Sequence, residues 1–231
     1  VNRVLRILST ALITAGLVVL ADVAATLVWK EPVSSVYASI QQSHAEDELA
    51  DLESRFPTAA DLRAAARAST TLGKVRILAD RFARVVRLGH PIGRIQIPKI
   101  DLDVVVIQGT RTQDLMKGPG HYPETAFPGQ GKTVAIAGHR TTYLAPFRHL
   151  DSLKRGDAVT LMMPYATFTY RVQKTRIVSP SAVHIIHDTG YERLVLTACN
   201  PLYSAAQRIA AFARLRSVSF FAAGRQRWQD P

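Results

Sequence analysis

The sequence predicts an all-β domain, a barrel or a sandwich, carried on an N-terminal membrane-spanning helix and a helical stalk. Three observations carry this: an apolar run at the start of the chain, a switch to period-two alternation from residue 91, and turn residues between the alternating runs. The chain has 231 residues, 47% of them hydrophobic and 20% charged, which excludes a disordered or collagen-like chain. Its single cysteine, Cys199, excludes an internal disulfide framework and any multi-cysteine metal site.

The first element is the apolar run from Val4 to Val28, interrupted by Arg6 and Asp22. As a helix, Ile7 to Val28 reaches about 33 Å at ~1.5 Å per residue, enough for a hydrocarbon core of ~30 Å. Arg3 and Arg6 precede it and no basic residue follows before Lys30, so the basic flank is expected in the cytoplasm and the remaining chain outside. A cleaved signal peptide is the competing possibility. Its apolar region is shorter and ends at a small-residue site, whereas this run resumes after Asp22. An uncleaved, single-pass anchor over residues 1–30 is therefore expected.

The next stretch changes sign along its length. Residues 31–73 are expected to be an acidic helical stalk, with Val33, Val36, Tyr37, Ile40, Leu49, Leu52 and Phe56 at loosely helical spacing. Thr58 and Asp61 have the spacing of a capping box, opening a second helix expected to stop at Gly73. Residues 74–90 are expected to be a basic linker, since Lys74, Arg76, Arg81, Arg84 and Arg87 face only Asp80. A solvated spacer whose acidic and basic parts pair accounts for both. The net charge of 29 − 18 = +11 suggests polyanions, but no interleaved aromatics or nucleic-acid-binding pattern accompanies it, and no nucleic-acid partner is expected.

From residue 91 to 219 the strands follow. Ile95 and Ile97 alternate, then Leu102, Val104 and Val106 after Pro98, then Val134 and Ile136. Val159, Leu161 and Met163, Phe168, Tyr170 and Val172, and Leu194, Leu196 and Ala198 do the same. Gly109-Thr110, Pro128-Gly129 and Gly156-Asp157 supply turns, and one short helix is expected around Pro146 to Leu153 with Phe147, Leu150 and Leu153 inward. Residues 220–231 are expected to be a tail.

Chemistry is sought at strand ends. Cys199 closes the run LVLTAC before Asn200-Pro201, so its thiol is expected at a loop-rimmed cleft. A cysteine nucleophile needs a group that supports the thiolate and returns a proton to the leaving amine. Of seven histidines, His44 lies in the stalk, His90 and His121 in loops, His149 on the short helix, and His184 and His187 together in one loop. His139 alone ends a strand, VAIAGH, with Gly138 permitting close backbone approach. Cys and His at two strand ends suit thiol acyl transfer if the ends share a rim.

Gly138-His139-Arg140, the LTAC ending at Cys199 and Arg208 nine residues on resemble the His, Cys and Arg of sortases, the membrane-anchored cysteine transpeptidases of Gram-positive bacteria. The resemblance runs over roughly 91–216, from PIGRIQIPKIDLDVVVIQG through AGHRTTY to TACNPLYSAAQRIAAFARL, and is greatest to the class E sortases of actinobacteria. It implies a closed sortase-type β-barrel with short helices. It also implies cleavage of a LAxTG- or LPxTG-like sorting signal between Thr and Gly, and transfer to a cell-wall precursor amine. By this resemblance Cys199 is the nucleophile, Arg208 steadies the oxyanion and His139 handles the proton. Tyr122, Tyr143, Thr197 and Ala198 are expected to meet the substrate.

The family usually has Thr where this chain has Ala198, so an expected hydroxyl is missing beside the nucleophile. No cofactor or metal is expected, because Ser179 to Arg193 offers only the carboxylates Asp188 and Glu192. Expected partners are secreted proteins bearing a sorting signal, the precursor amine and the membrane. The alternatives are a pilin-polymerising sortase, an L,D-type peptidoglycan transpeptidase and a non-catalytic membrane-tethered assembly module. The L,D-type enzyme places His close before Cys, whereas here 199 − 139 = 60 positions separate them.

Overall fold

The alternating runs become eight strands: β1 (Pro91–Ile97), β2 (Leu102–Gln108), β3 (Gly120–His121), β4 (Thr133–Ala137), β5 (Ala158–Met163), β6 (Ala166–Val178), β7 (Arg193–Asn200) and β8 (Gln207–Phe220). This computed structural model describes residues 2–29 and 32–220, with side chains over 3–24 and 34–220. The tail expected over 220–231 lies outside the described residues except for Phe220. The strands close into a barrel in the order β1-β2-β3-β4-β7-β8-β6-β5, with β5 pairing back to β1. Among the described residues, six of the neighbouring pairs are antiparallel; β2 with β3 and β4 with β7 run parallel, the latter with Thr133 opposite Arg193 through Ala137 opposite Thr197.

Inward residues of every major strand build one core. Ile95, Ile97, Val134, Ile136, Val159, Leu161, Phe168, Tyr170, Leu194 and Leu196 are all buried in it. The period-two rule fails at β2, where Val105 and Ile107 are buried as well as Val106. The reason is an outer layer. The helix α2 (Pro32–Arg55) lays Ala45 and Leu49 over Val105 and Ile107, so both faces of that strand are covered. The Gln42 side chain acts as a short extra strand: its Oε1 accepts from Val105 N–H at 2.8 Å and its Nε2 donates to the Val105 and Lys117 carbonyls at 3.1 and 2.7 Å. Two backbone groups on the outside of β2 are thereby satisfied.

The expected solvated spacer is therefore corrected. The buried face of α2 is Ala38, Gln42, Ala45 and Leu49, while Val36, Tyr37 and Ile40 stay exposed. Thr58 and Asp61 do form the expected capping box, opening α3 (Ala59–Ala65), but this helix is capped at Ala66 and does not reach Gly73. Gly73 instead lies in the first turn of α4 (Thr71–Val85), where its N–H donates to the Thr70 cap at 3.1 Å. The expected linker is thus largely helix. Val75, Leu78, Ala79 and Phe82 recur at helical spacing, are buried, and join the barrel core. The positive charges sit on its other face. Acid and base pair as expected, through Asp61–Arg81 at 2.9 Å, Glu46–Arg94 at 2.8 Å and Glu48–His90.

Two further expectations change. The helix expected around Pro146 to Leu153 shrinks to a 3-10 turn over Leu150–Ser152, although Phe147, Leu150 and Leu153 do point inward. His121 belongs to β3 and not to a loop; it is buried, with Nε2 donating to the Ala126 carbonyl at 3.0 Å and Nδ1 2.8 Å from the Gln108 amide. The N-terminal helix α1 (Asn2–Trp29) contains a stretch, Arg3–Ala24, long and apolar enough to cross a membrane.

Candidate active site

The parallel pairing of β4 and β7 decides where Cys199 and His139 go. Their last paired residues are Ala137 and Thr197, and the Gly138 N–H then donates to the Thr197 carbonyl at 3.0 Å. Each strand carries its reacting residue two positions further on, so both emerge at one rim. A side chain at Gly138 would bring Cβ to 2.5 Å from the Phe147 ring, which explains the glycine beneath the histidine. On the other side of β7, Cys199 stands directly opposite Arg208 of the antiparallel β8. Sequence reasoning proposed the three residues; the register brings them together.

Strand alternation assigns their face. Leu194, Leu196 and Ala198 point into the core, whereas Val195, Thr197 and Cys199 point outward. Outward Val195, Ala135 of β4, and Ala210 and Phe212 of β8 form a second apolar cluster, with Tyr122, Ile185 and Ile186 packed on it. This is a packed apolar wall on the face from which Cys199 projects. Ile185 and Ile186 lie in the 3-10 turn Val183–Ile186, held down by Arg193, whose Nη2 donates to the Ile185 and His187 carbonyls at 2.9 and 3.0 Å. Arg193 Nε also donates to Thr133 Oγ1 at 3.0 Å, tying this loop to β4. The sequence reading missed this wall. The signal was available as the outward positions of the Cys199 strand.

Of the expected substrate contacts, Tyr122 and Thr197 meet on the outward face of β7, Oη to Oγ1 at 3.0 Å. Tyr143 lies against His139, ring centroids 5.3 Å apart. Ala198 does not belong with them. It packs in the core opposite Ile209, because adjacent residues of a strand face opposite ways.

The electrostatics suit a proton carrier. His139 is partly buried, and burial holds its imidazole below the usual histidine pKa. Its Nε2 is shielded from solvent and has no hydrogen-bond partner among the described residues. A shielded, unpaired ring nitrogen is costly unless something else uses it. Arg208 is half-buried, with Nη1 donating to the Ala205 and Gln207 carbonyls at 2.9 and 3.0 Å, and no carboxylate among the described residues pairs with it. Glu192, one of two candidate loop carboxylates, is occupied elsewhere: it accepts from the Gly129 and Gly131 N–H groups and from Tyr170 Oη, and burial pushes its pKa up. Among the described residues no three His, Cys, Asp or Glu side chains gather as a metal site.

A barrel whose parallel central pair delivers Cys and His to one rim, beside an arginine, has the architecture of the cysteine transpeptidases. The Sortase domain family matches residues 95–216, more than half of the chain, and the chain belongs to the sortase family. It is 37% identical over 116 residues to sortase D of Bacillus subtilis (49% of this chain, 56% of that protein). It is 27% identical over 143 residues to sortase SrtE1 of Streptomyces coelicolor (55% of this chain, 41% of that protein). The chain thus spans about half the length of these two relatives. Among solved structures, sortase E from Streptomyces avermitilis matches with a TM-score of 0.54 and 35% identity, covering 60% of this chain and 96% of that one. The similarity therefore includes class E sortases.

Proposed function

We propose that this chain is a membrane-anchored transpeptidase that cleaves a LAxTG- or LPxTG-like sorting signal between Thr and Gly and joins the acyl-enzyme to a cell-wall precursor amine. The observation that carries this reading is the shared rim of His139 and Cys199, set by the β4–β7 register, with Arg208 opposite the cysteine. The Cys199 Sγ attacks the Thr carbonyl carbon while its proton passes to His139 Nε2. Arg208 donates to the oxyanion through charge-assisted hydrogen bonds. As the C–N bond breaks, His139 gives the proton to the departing glycine amine. The incoming amine loses a proton to His139, attacks the thioester carbonyl and expels the sulfur, which recovers that proton. Tyr122, Thr197 and Tyr143 line the path of the peptide.

The stretch Arg3–Ala24 serves as the anchor, Arg3 and Arg6 on the cytoplasmic side and the barrel outside. Substrates are then secreted proteins bearing the signal. The test is mass spectrometry of the full chain in detergent, incubated with LAxTG and LPxTG peptides and then with an amine. A thioester on Cys199 that the amine discharges is expected. No adduct with either peptide, from a chain whose thiol is free, rejects the reading.

A further inference from the structure

The residues adjoining the reacting set form a second polar set on the opposite face of the same strands. Asn200 follows Cys199, Gln207 precedes Arg208, and the two are paired across the β7–β8 ladder, Asn200 Nδ2 donating to Gln207 Oε1 at 3.1 Å. Alternation sends Asn200 to the barrel-mouth side while Cys199 faces outward. Arg140 follows His139 and completes the set. Its Nη1 donates to Asn200 Oδ1 at 2.9 Å. Its Nε and Nη2 donate to the Arg148 carbonyl at 3.2 and 3.1 Å, and Nη2 also meets Asp151 Oδ2 at 3.0 Å.

The Arg140 side chain is 3% exposed. A buried guanidinium is expensive to desolvate, and an apolar side chain would close the mouth of a barrel at lower cost. What the guanidinium adds is direction. The last backbone bond between β4 and β7 among the described residues is Gly138 N–H to Thr197 O, so the main chain does not hold His139 to Cys199. Beyond that bond, Arg140 to Asn200 is the side-chain link between the two strand ends. Its rigid fork also fixes the Arg148 carbonyl of the loop that returns from His139, whose own carbonyl accepts from Phe147 N–H at 2.9 Å.

We propose that Arg140, acting through Asn200, is a positioning residue for acyl transfer: it clamps the His139 end of β4 to the Cys199 end of β7 and so sets the separation of imidazole and thiol. The proposal rests on the transpeptidase reading above. Misplacing a reacting pair by about 1 Å costs on the order of a hundredfold in rate, so a missing clamp should be visible in kcat and not in binding.

The experiment compares wild type, Arg140→Lys, Asn200→Ala and the double variant as full chains in detergent. It reads kcat and KM for peptide-to-amine transfer, the melting temperature, and the pH dependence of Cys199 alkylation by iodoacetamide. Each single variant should lower kcat about ten- to a hundredfold with KM changed less than about twofold. The double should match the poorer single, because both remove one link. The alkylation profile should move toward the one that His139→Ala gives in the same assay. Asn200→Ala keeps the proposal open to refutation if Arg140→Lys fails to fold. Singles within about twofold of wild type, losses that multiply in the double, or an unchanged alkylation profile overturn the clamp. A wild type that neither transfers nor forms the thioester sinks the transpeptidase reading and the clamp with it; an active wild type with unaffected variants sinks the clamp alone.

Discussion

Cys199 on β7 and Arg208 on β8 stand directly opposite each other in the antiparallel ladder. The carbonyls of Ala205, in the connecting turn, and Gln207, which opens β8, hold one guanidinium nitrogen. One arm is tethered and the arginine remains beside the thiol.

Arg208→Ala should therefore lower kcat by roughly 10²–10³, as loss of an oxyanion donor does elsewhere. Lysine should restore little, because a point charge cannot reproduce the planar fork. The melting temperature should move little, since no carboxylate depends on this side chain. Steady-state kinetics placing Arg208→Ala within about twofold of wild type would remove it from the mechanism.

Cys199→Ala should abolish thioester formation, and His139→Ala should nearly abolish transfer. Burial depresses the His139 pKa, so its imidazole should titrate below the usual histidine value of 6.5. Histidine-labelled NMR of Cys199→Ala gives the midpoint directly. A midpoint above 6.5 contradicts the burial argument.

Acid should destabilise the barrel through His121, whose pKa burial lowers to about 4. Between pH 6.5 and about 4 the unfolded chain binds a proton here that the native chain refuses, so stability falls as pH falls. At about 1.4 kcal/mol per unit over 6.5 − 4 = 2.5 units, the loss is on the order of 3–4 kcal/mol. Urea unfolding at several pH values should show a shallower acid slope for His121→Gln than for wild type. Equal slopes would clear this histidine.

Gly138→Ala should damage both stability and catalysis. The added carbon meets Phe147 at 2.5 Å, and Phe147 is fully buried, so one of the two must move. Overpacking of this kind costs typically 1–3 kcal/mol. The His139 backbone is next in line, so kcat should fall further than the folded fraction. Thermal melting and kinetics on one preparation separate the two effects.

Gln42→Ala should destabilise by about 1–3 kcal/mol, because the buried Val105 N–H loses its acceptor. Denaturant unfolding measures it. An unchanged midpoint would mean that α2 does not brace β2.

Much of the barrel was legible because inward residues repeat at period two. Ile95 and Ile97, Val159 to Met163 and Phe168 to Val172 alternate in the sequence and in the core. The candidate pair was legible because Cys199 and His139 each close an apolar run. Alternation also contained the correction at Ala198, whose parity is that of Leu194 and Leu196. The helix α4 was obscured by charge: the row of Arg and Lys drew attention from Val75, Leu78, Ala79 and Phe82, which mark an apolar stripe one side wide. The apolar wall at Ile185 and Ile186 and the Arg140–Asn200 bond depend on register, which in the second case joins residues 60 positions apart and leaves no local trace.

The parallel pairing of β4 and β7 has a consequence for timing. A parallel pair cannot be closed by a tight turn; here β5, β6 and two loops intervene before the second strand arrives. The imidazole and the sulfur therefore become neighbours only once that long excursion is complete. A nascent or partly threaded chain carries an ordinary cysteine with no base at its side. On the proposed mechanism, reactivity is thus conditional on a finished barrel.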